Sequence, residues 1–211
     1  MEKNYTVQEE RLNILSHAFG LVMAIFGLVF LLIKGLESHS VKIFLAFLIY
    51  GIGVITMFLA STLYHSATDP KKRSKLNVFD HSAIYLTIAG SYTPISLLTL
   101  PSIWGIPVLI TVWTIAATGI TLKFFFIGKY PKLSTIMYVL MGWVIVVAIK
   151  PLITSMETKG LMWLLIGGIA YSFGAILYQN KKLKMNHFLF HLFVLIGAAC
   201  HYMVVYFYCL K

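Results

Sequence analysis

The stretch IFLAFLIYGIGVITMFLASTLYHSAT, residues 43–68, decides the class of fold, because it runs for 26 residues without Asp, Glu, Lys or Arg. About 20 apolar residues in a helix are enough to cross the hydrocarbon core of a bilayer. Of the 211 residues, 59% are hydrophobic and 11% charged, whereas soluble domains are about half apolar and a quarter charged. The composition therefore excludes a soluble globular domain and predicts a polytopic membrane protein.

A second uncharged stretch, residues 81–122, is 42 residues long, which is about twice the length that one membrane-spanning helix needs. Near its middle it carries Pro94, Pro101 and Pro107. Because Pro and Gly punctuate helices, we expect the chain to reverse near residues 100–104 and to form a helical hairpin. This stretch therefore contributes two membrane spans.

The other uncharged windows have the length of single helices, and they lack the alternation of polar and apolar residues that a membrane β-barrel requires. The sequence therefore predicts one all-α domain, residues 1–211, folded as a seven-helix transmembrane bundle. The predicted spans are residues 12–33, 43–66, 78–99, 104–122, 133–150, 160–179 and 186–209.

The net charge of +10 comes from short basic clusters between the apolar runs, so it does not indicate a nucleic-acid surface. Seven spans place 12 basic residues on the N-terminal side and 5 on the other, and an excess of Lys and Arg marks the cytoplasmic side. We expect a cytoplasmic N-terminus and an external C-terminus. The basic residues on the N-terminal side are Lys3, Arg11, Lys71, Lys72, Arg73, Lys75, Lys123, Lys129, Lys132, Lys181, Lys182 and Lys184. Those on the other side are Lys34, Lys42, Lys150, Lys159 and Lys211.

Ionisable residues inside membrane spans mark functional sites by default, and three histidines share one predicted depth. His65 ends the second span, while His187 and His191 begin the seventh. Residues four apart lie on one helix face, so His187 and His191 form a two-point metal clamp. With His65, they offer three neutral nitrogen donors, a set that suits a catalytic zinc ion and leaves its fourth position for water. We predict one Zn²⁺ ion at these residues.

Asp80 and Ser61 are predicted to lie beside this metal site as catalytic residues. Asp80, in the first turn of the third span, could activate a water molecule or orient a ligand histidine. The alternative is that Asp80 only pairs with Arg73 or Lys75. Ser61 lies one turn deeper than His65 and could hydrogen-bond the water or a substrate carbonyl.

The other four histidines have plainer interpretations. His39 and His81 are expected to be interfacial residues with ordinary hydrogen bonds. His201 lies about 15 Å deeper than His191, where a hydrogen bond between helices is favoured over a place in the site cavity. His17 lies at the depth of the site. It could orient one of the metal-ligating residues, or it could have no role in the site.

Five motifs, in this order along the chain, resemble those of the hemolysin III family, the bacterial branch of the progestin and adipoQ (adiponectin) receptor superfamily. The resemblance implies seven helices, a cytoplasmic N-terminus, and zinc held by His65, His187 and His191 with Asp80 and Ser61 nearby. The superfamily is similar to alkaline ceramidases, which implies hydrolysis of a lipid amide. The motifs are residues 10–17, Ser61 with His65, residues 80–85, residues 90–94, and His187 with His191.

A metal site just inside the cytoplasmic boundary would lie level with the amide or ester bond of a membrane lipid. We therefore expect a zinc-dependent hydrolase of such a bond, located in the bacterial plasma membrane, with membrane lipids as its partners and no nucleic acid. One alternative is the cytolytic, membrane-permeabilising activity in the family name, for which the sequence offers no evident aqueous lumen. Another is a metal-dependent sensor or receptor without turnover.

Overall fold

The computed structural model describes residues 5–126 and 129–210, and within these ranges every regular element is helical and no strand forms. Lys3 and Lys211, which entered the charge count, lie outside the described residues. The helices are α1 (Val7–Glu37), α2 (Val41–Ser66), α3 (Pro70–Pro94), α4 (Ser102–Phe126), α5 (Pro131–Gly142), α6 (Ile149–Ser155), α7 (Thr158–Gln179) and α8 (Asn186–Tyr208). A π-helical turn, Ile95–Thr99, follows α3, and a 3₁₀ segment, Val144–Ala148, joins α5 to α6.

Six helical segments among the described residues are long and apolar enough to cross a membrane. They are α1, α2, α4, the segment Lys132–Ser155, α7 and α8. α3 has 25 residues, enough for a span, but its first turns carry Lys71, Lys72, Arg73, Lys75 and Asp80. The expected all-α membrane fold is therefore confirmed, with six segments of membrane-spanning character.

α1 turns its polar residues toward the interior of the bundle and its large apolar residues outward, as expected for a helix surrounded by lipid. Asn13 is fully buried and His17 is 3% exposed, whereas Phe19 and Phe26 are 62% and 59% exposed. In water this arrangement would be strongly unfavourable, because apolar surface belongs in the core. Its outward face therefore fits hydrocarbon rather than solvent.

α1 packs against α2 and α8 along its length, and contacts at both ends show that α1 and α8 run in the same direction. At one end, the Tyr5 hydroxyl hydrogen-bonds His187, at the start of α8. At the other end, the Lys34 ammonium donates to the backbone carbonyl of Tyr206. Residues 5 and 210 therefore lie at opposite ends of the bundle.

α2 and α3 approach closely because small residues face each other in their middle turns. A Cβ atom at Gly53 would lie 3.2 Å from the Leu86 carbonyl oxygen, and one at Gly90 would lie 3.2 Å from that of Ile49. The Thr87 hydroxyl donates to the Gly53 carbonyl at 2.8 Å. Small residues and interhelical hydrogen bonds of this kind take the place of hydrophobic driving force in lipid, and here they hold α3 beside the helix that carries His65.

The chain reverses between α3 and α4, where Leu100 and Pro101 separate the π-helical turn from α4. Gly105 packs directly on the Ser96 carbonyl oxygen, and a Cβ atom at this position would overlap that oxygen. The absence of a side chain at Gly105 therefore allows α4 to return close beside α3.

Replacing Gly105 with Ala should destabilise the protein by about 1 to 3 kcal/mol, because the added methyl group meets backbone rather than a movable side chain. Thermal unfolding in detergent measures the effect as a lower midpoint. Gly142→Ala is the matched control, since a Cβ atom there meets nothing within 4 Å. Equal midpoints for the two variants would contradict this account of the hairpin.

Candidate metal centre

Three histidines from two helix ends meet at the end of the bundle where α1 begins. His65 lies in the last turn of α2, and His187 and His191 lie in the first two turns of α8. One ring nitrogen from each lies within 4.8 Å of the other two, and the residues are 3%, 6% and 1% exposed, respectively. These are the three residues that the clamp spacing singles out, and together they could hold a metal ion.

The start of α8 is held in place by its neighbour α7, which fixes where His187 points. Met185 has φ = 56°, in the left-handed region, so the backbone turns sharply before the helix. The Asn186 side-chain amide donates to the Tyr178 carbonyl at 2.8 Å, at the C-terminal end of α7. The unpaired carbonyls of one helix end thus anchor the beginning of the next.

Each of the three imidazoles uses its Nδ1 atom for a hydrogen bond to a residue near the N-terminus. His65 Nδ1 lies 2.6 Å from a Glu10 carboxylate oxygen, His187 Nδ1 lies 2.9 Å from the Tyr5 hydroxyl, and His191 Nδ1 lies 3.3 Å from the Ser16 hydroxyl. The Nε2 atoms of His65 and His187 face each other at 3.0 Å. Metal-ligating histidines usually bond their second ring nitrogen in this way.

The hydrogen bond to Glu10 fixes which ring nitrogen of His65 carries a proton. Glu10 as a carboxylate only accepts, so His65 donates through Nδ1 and presents the Nε2 lone pair. Burial raises the pKa of the Tyr5 phenol well above its usual range, so Tyr5 keeps its proton, and its hydroxyl can donate to His187 Nδ1 or accept from it. When no cation lies between the two rings, a proton on His187 Nε2 is donated to His65 Nε2.

These residues fit a zinc ion. Two Nε2 lone pairs 3.0 Å apart repel unless a proton or a cation lies between them, and ligands of a tetrahedral zinc ion are about 3.3 Å apart. Three neutral imidazoles are a known donor set for zinc. The proton between His65 and His187 occupies a position that a cation would take.

Arg73 completes the network around His65 from the first turn of α3. Its guanidinium donates to the second oxygen of Glu10 and to the Ala67 carbonyl, at 3.2 Å for the latter. It also lies over the Tyr64 ring, 4.6 Å from the centroid. Because Glu10 binds a histidine through one oxygen and Arg73 through the other, the alternative interpretation of Asp80 as a partner of Arg73 is not found in the described residues.

Asp80 and Ser61 face the centre from α3 and α2 without joining the histidine cluster. The Asp80 side chain is 13% exposed, and one of its oxygens lies 3.9 Å from His81 Nδ1. Asp80 also interacts electrostatically with His65 and Ser61. The buried Ser61 hydroxyl makes no hydrogen bond of normal geometry within the described residues, and Asp80 is a side chain with which it interacts.

The remaining histidines divide as follows. His81 bonds the Asn77 carbonyl through Nδ1 at 2.9 Å, as expected for an interfacial residue. His17 stacks on His191 with ring centroids 3.5 Å apart, which is contact by packing and not by a hydrogen bond. The prediction of a hydrogen bond between helices for His201 is wrong, since neither of its ring nitrogens has a hydrogen-bond partner within residues 5–126 and 129–210.

Sequence reasoning overlooked Glu10, Tyr5 and Ser16 as partners of the histidines. A signal was present, because the first turns of α1 carry polar residues at helical spacing inside an otherwise apolar segment. Such a polar stripe on a membrane helix indicates a buried, functional face. Which histidine each residue contacts depends on how α1 packs, and periodicity does not contain that information.

The fold and the site define a class: a multi-pass helical membrane protein with a buried cluster of three histidines that could bind a metal ion. Residues 5–202 match the family described as Haemolysin-III related. The chain therefore belongs to the hemolysin III family, as the motifs led us to expect, and it is a multi-pass protein of the bacterial cell membrane.

Relatives match nearly the whole chain. It is 41% identical over 207 residues to the Hemolysin-3 homolog of Bacillus subtilis (strain 168), covering 98% of this chain and 97% of that protein. It is 43% identical over 204 residues to Hemolysin-3 of Bacillus cereus, covering 97% and 93%. It is 30% identical over 213 residues to the human Monocyte to macrophage differentiation factor, covering 95% and 84%. The similarity thus extends from bacterial to human proteins.

Replacing His187 or His191 with Ala should reduce bound metal to near background, because two imidazoles hold a metal ion far more weakly than three. Chelation of the wild-type protein should lower its thermal midpoint, since a ligand that binds the folded state stabilises it. Metal content by elemental analysis is the measurement. His39→Asn, in the loop before α2, should keep the wild-type content, and full occupancy in a His187→Ala, His191→Ala double variant would overturn the site.

Proposed function

We propose that the protein is a zinc-dependent hydrolase that cleaves an amide or ester bond of a membrane lipid. The observation that carries the proposal is the buried cluster of His65, His187 and His191 with Asp80 and Ser61 beside it. A zinc ion held by three neutral imidazoles supplies a Lewis acid and lowers the pKa of water to about 7. No described residue other than these three histidines forms such a cluster.

The side chains around the cluster have complementary chemistry for hydrolysis. Asp80 accepts a proton from the attacking water and returns it to the leaving amine or alcohol. The Ser61 hydroxyl donates a hydrogen bond to the carbonyl oxygen as negative charge develops there. Because both groups are largely buried among apolar helices, their electrostatic effect is stronger than it would be in water.

The location of the cluster supports a lipid as the substrate. The histidines lie at the ends of α2 and α8, which are flanked by membrane-spanning segments, and not in a soluble domain. Amide and ester bonds of membrane lipids lie at the boundary between headgroups and hydrocarbon, which is the level of helix ends. A water-soluble substrate would have no need for a site at this depth.

We further propose that α3 also crosses the membrane, which raises the number of spans from six to seven, and that the histidine end of the bundle faces the cytoplasm. Residues 5 and 210 lie at opposite ends of the bundle, which requires an odd number of crossings. The basic first turns of α3 lie at the histidine end, and the excess of Lys and Arg marks that end as cytoplasmic.

Cysteine labelling tests this orientation. Cysteine introduced at Lys72 should be protected from a membrane-impermeant maleimide in intact cells, whereas cysteine at Lys211 should react, because only the latter is external. The native Cys200 and Cys209 are buried, so background labelling is low. Labelling of position 72 from outside would reverse both the orientation and the leaflet of the site.

The Asp80→Asn variant tests the proposed chemistry. It should retain zinc but cleave lipid about 10²- to 10⁴-fold more slowly, the usual contribution of general acid–base catalysis. The assay follows products from a panel of ceramides and phospholipids by mass spectrometry, with zinc content measured in the same samples. Asp69→Asn is the control, because this exposed residue caps α3 and Asn caps helices equally well.

Wild-type turnover by Asp80→Asn would remove Asp80 from the mechanism. If the zinc-loaded wild type cleaved nothing, a sensor or a cytolytic protein would be the better assignment. The second of these is favoured by the names of the Bacillus relatives, which describe hemolysins. Dye release from liposomes that persists in His187→Ala, without any lipid product, would support permeabilisation.

A further inference from the structure

One short segment supplies the hydrogen-bond partners of all three site histidines. We call residues 5–16 the N-terminal arm, which comprises the residues before α1 and its first turns. Tyr5, Glu10 and Ser16 each reach the Nδ1 atom of a different histidine. The histidines themselves come from α2 and α8, so the arm joins groups that neither helix could orient alone.

Of these three contacts, the one made by Glu10 has the properties of a strong hydrogen bond. Its length of 2.6 Å and its ionised acceptor are typical of charge-assisted bonds, which are about twice as strong as neutral ones. The contacts of Tyr5 and Ser16 are longer, at 2.9 and 3.3 Å, and are made by neutral groups. Glu10 therefore has the greatest influence on the orientation of a site histidine.

Glu10 is itself held from a second direction. Arg73 binds the other carboxylate oxygen, and Arg73 is in turn fixed by the Ala67 carbonyl and the Tyr64 ring. Both carboxylate oxygens are thus engaged, so the side chain cannot rotate without breaking a charged contact. A carboxylate held in this way defines both the ring orientation of His65 and the nitrogen that faces the cluster.

We propose that Glu10 is the positioning residue of the metal centre, fixing His65 with Nε2 toward the metal position, and that Tyr5 and Ser16 assist at His187 and His191. The proposal rests on the metal centre of the proposed function but not on any lipid turnover. It assigns the N-terminal arm a role in metal affinity that neither the histidine spacing nor the family match specifies.

The test compares two neighbouring glutamates in the full-length protein in detergent. Glu10→Gln should weaken zinc binding by about 10- to 100-fold, the usual effect of losing such a partner, as measured by competition with a chromophoric chelator. Glu9→Gln is the matched control, because Glu9 is the neighbouring carboxylate on the same helix, is also shielded from solvent, and has one oxygen lacking a hydrogen-bond partner in the described residues. It should bind zinc as the wild type does.

Two further measurements separate positioning from a general structural role. Cobalt(II) bound in place of zinc should show a shifted visible spectrum in Glu10→Gln and an unchanged one in Glu9→Gln, because only the former changes the environment of a ligand. The thermal midpoint of each metal-free variant reports folding. If Glu10→Gln does not fold, Tyr5→Phe, which loses one oxygen atom, should still weaken zinc binding about two- to tenfold, as one neutral hydrogen bond does.

Wild-type zinc affinity and cobalt spectrum in Glu10→Gln would overturn the proposal, and so would an equal loss in Glu9→Gln. A wild-type protein that bound neither zinc nor cobalt would overturn the metal centre, and the positioning role with it. Normal metal binding without lipid cleavage would leave the role of Glu10 intact and would count only against the hydrolase.

Discussion

The hydrogen bond between Glu10 and His65 joins α1 to α2 at the place where the imidazoles converge. Since Arg73 binds the same carboxylate, the first turn of α1 is also tied to the start of α3. Charged groups away from water are costly unless each one is paired, so this network is stable only when it is complete. The relative positions of α1, α2 and α3 at this end therefore depend on one another, and the geometry of the histidine cluster depends on all three.

A location in the bilayer explains why so many polar and ionisable side chains lie inside this small bundle. Lipid covers the large apolar side chains on the outward faces, and polar groups on those faces would lose their hydrogen bonds. Polar residues therefore face inward, as Asn13 and His17 do on α1. In this protein the inward faces carry the histidine cluster and its polar neighbours, whereas in soluble proteins they form the apolar core.

α3 shows how one helix can serve two requirements that conflict. Its basic first turns and Asp80 make it too polar to qualify as a membrane-spanning helix by composition, yet Arg73 binds Glu10 and Asp80 interacts with His65. Its later turns pack tightly on α2 through Gly53 and Gly90, which keeps Asp80 near His65. The polar residues that set α3 apart from the six apolar segments are therefore found beside the histidine cluster.

The sequence alone determined the membrane class, the helical architecture and the three histidines, because these follow from local properties. Long uncharged runs require lipid, and residues four apart, such as His187 and His191, share a helix face whatever the helix packs against. The partners of those histidines were decided by the tertiary structure. Glu10 is 55 residues from His65, and Tyr5 is 182 residues from His187, so only the packing of α1 against α2 and α8 brings them together. A contact between distant segments depends on rotation and register, which hydrophobic periodicity does not encode.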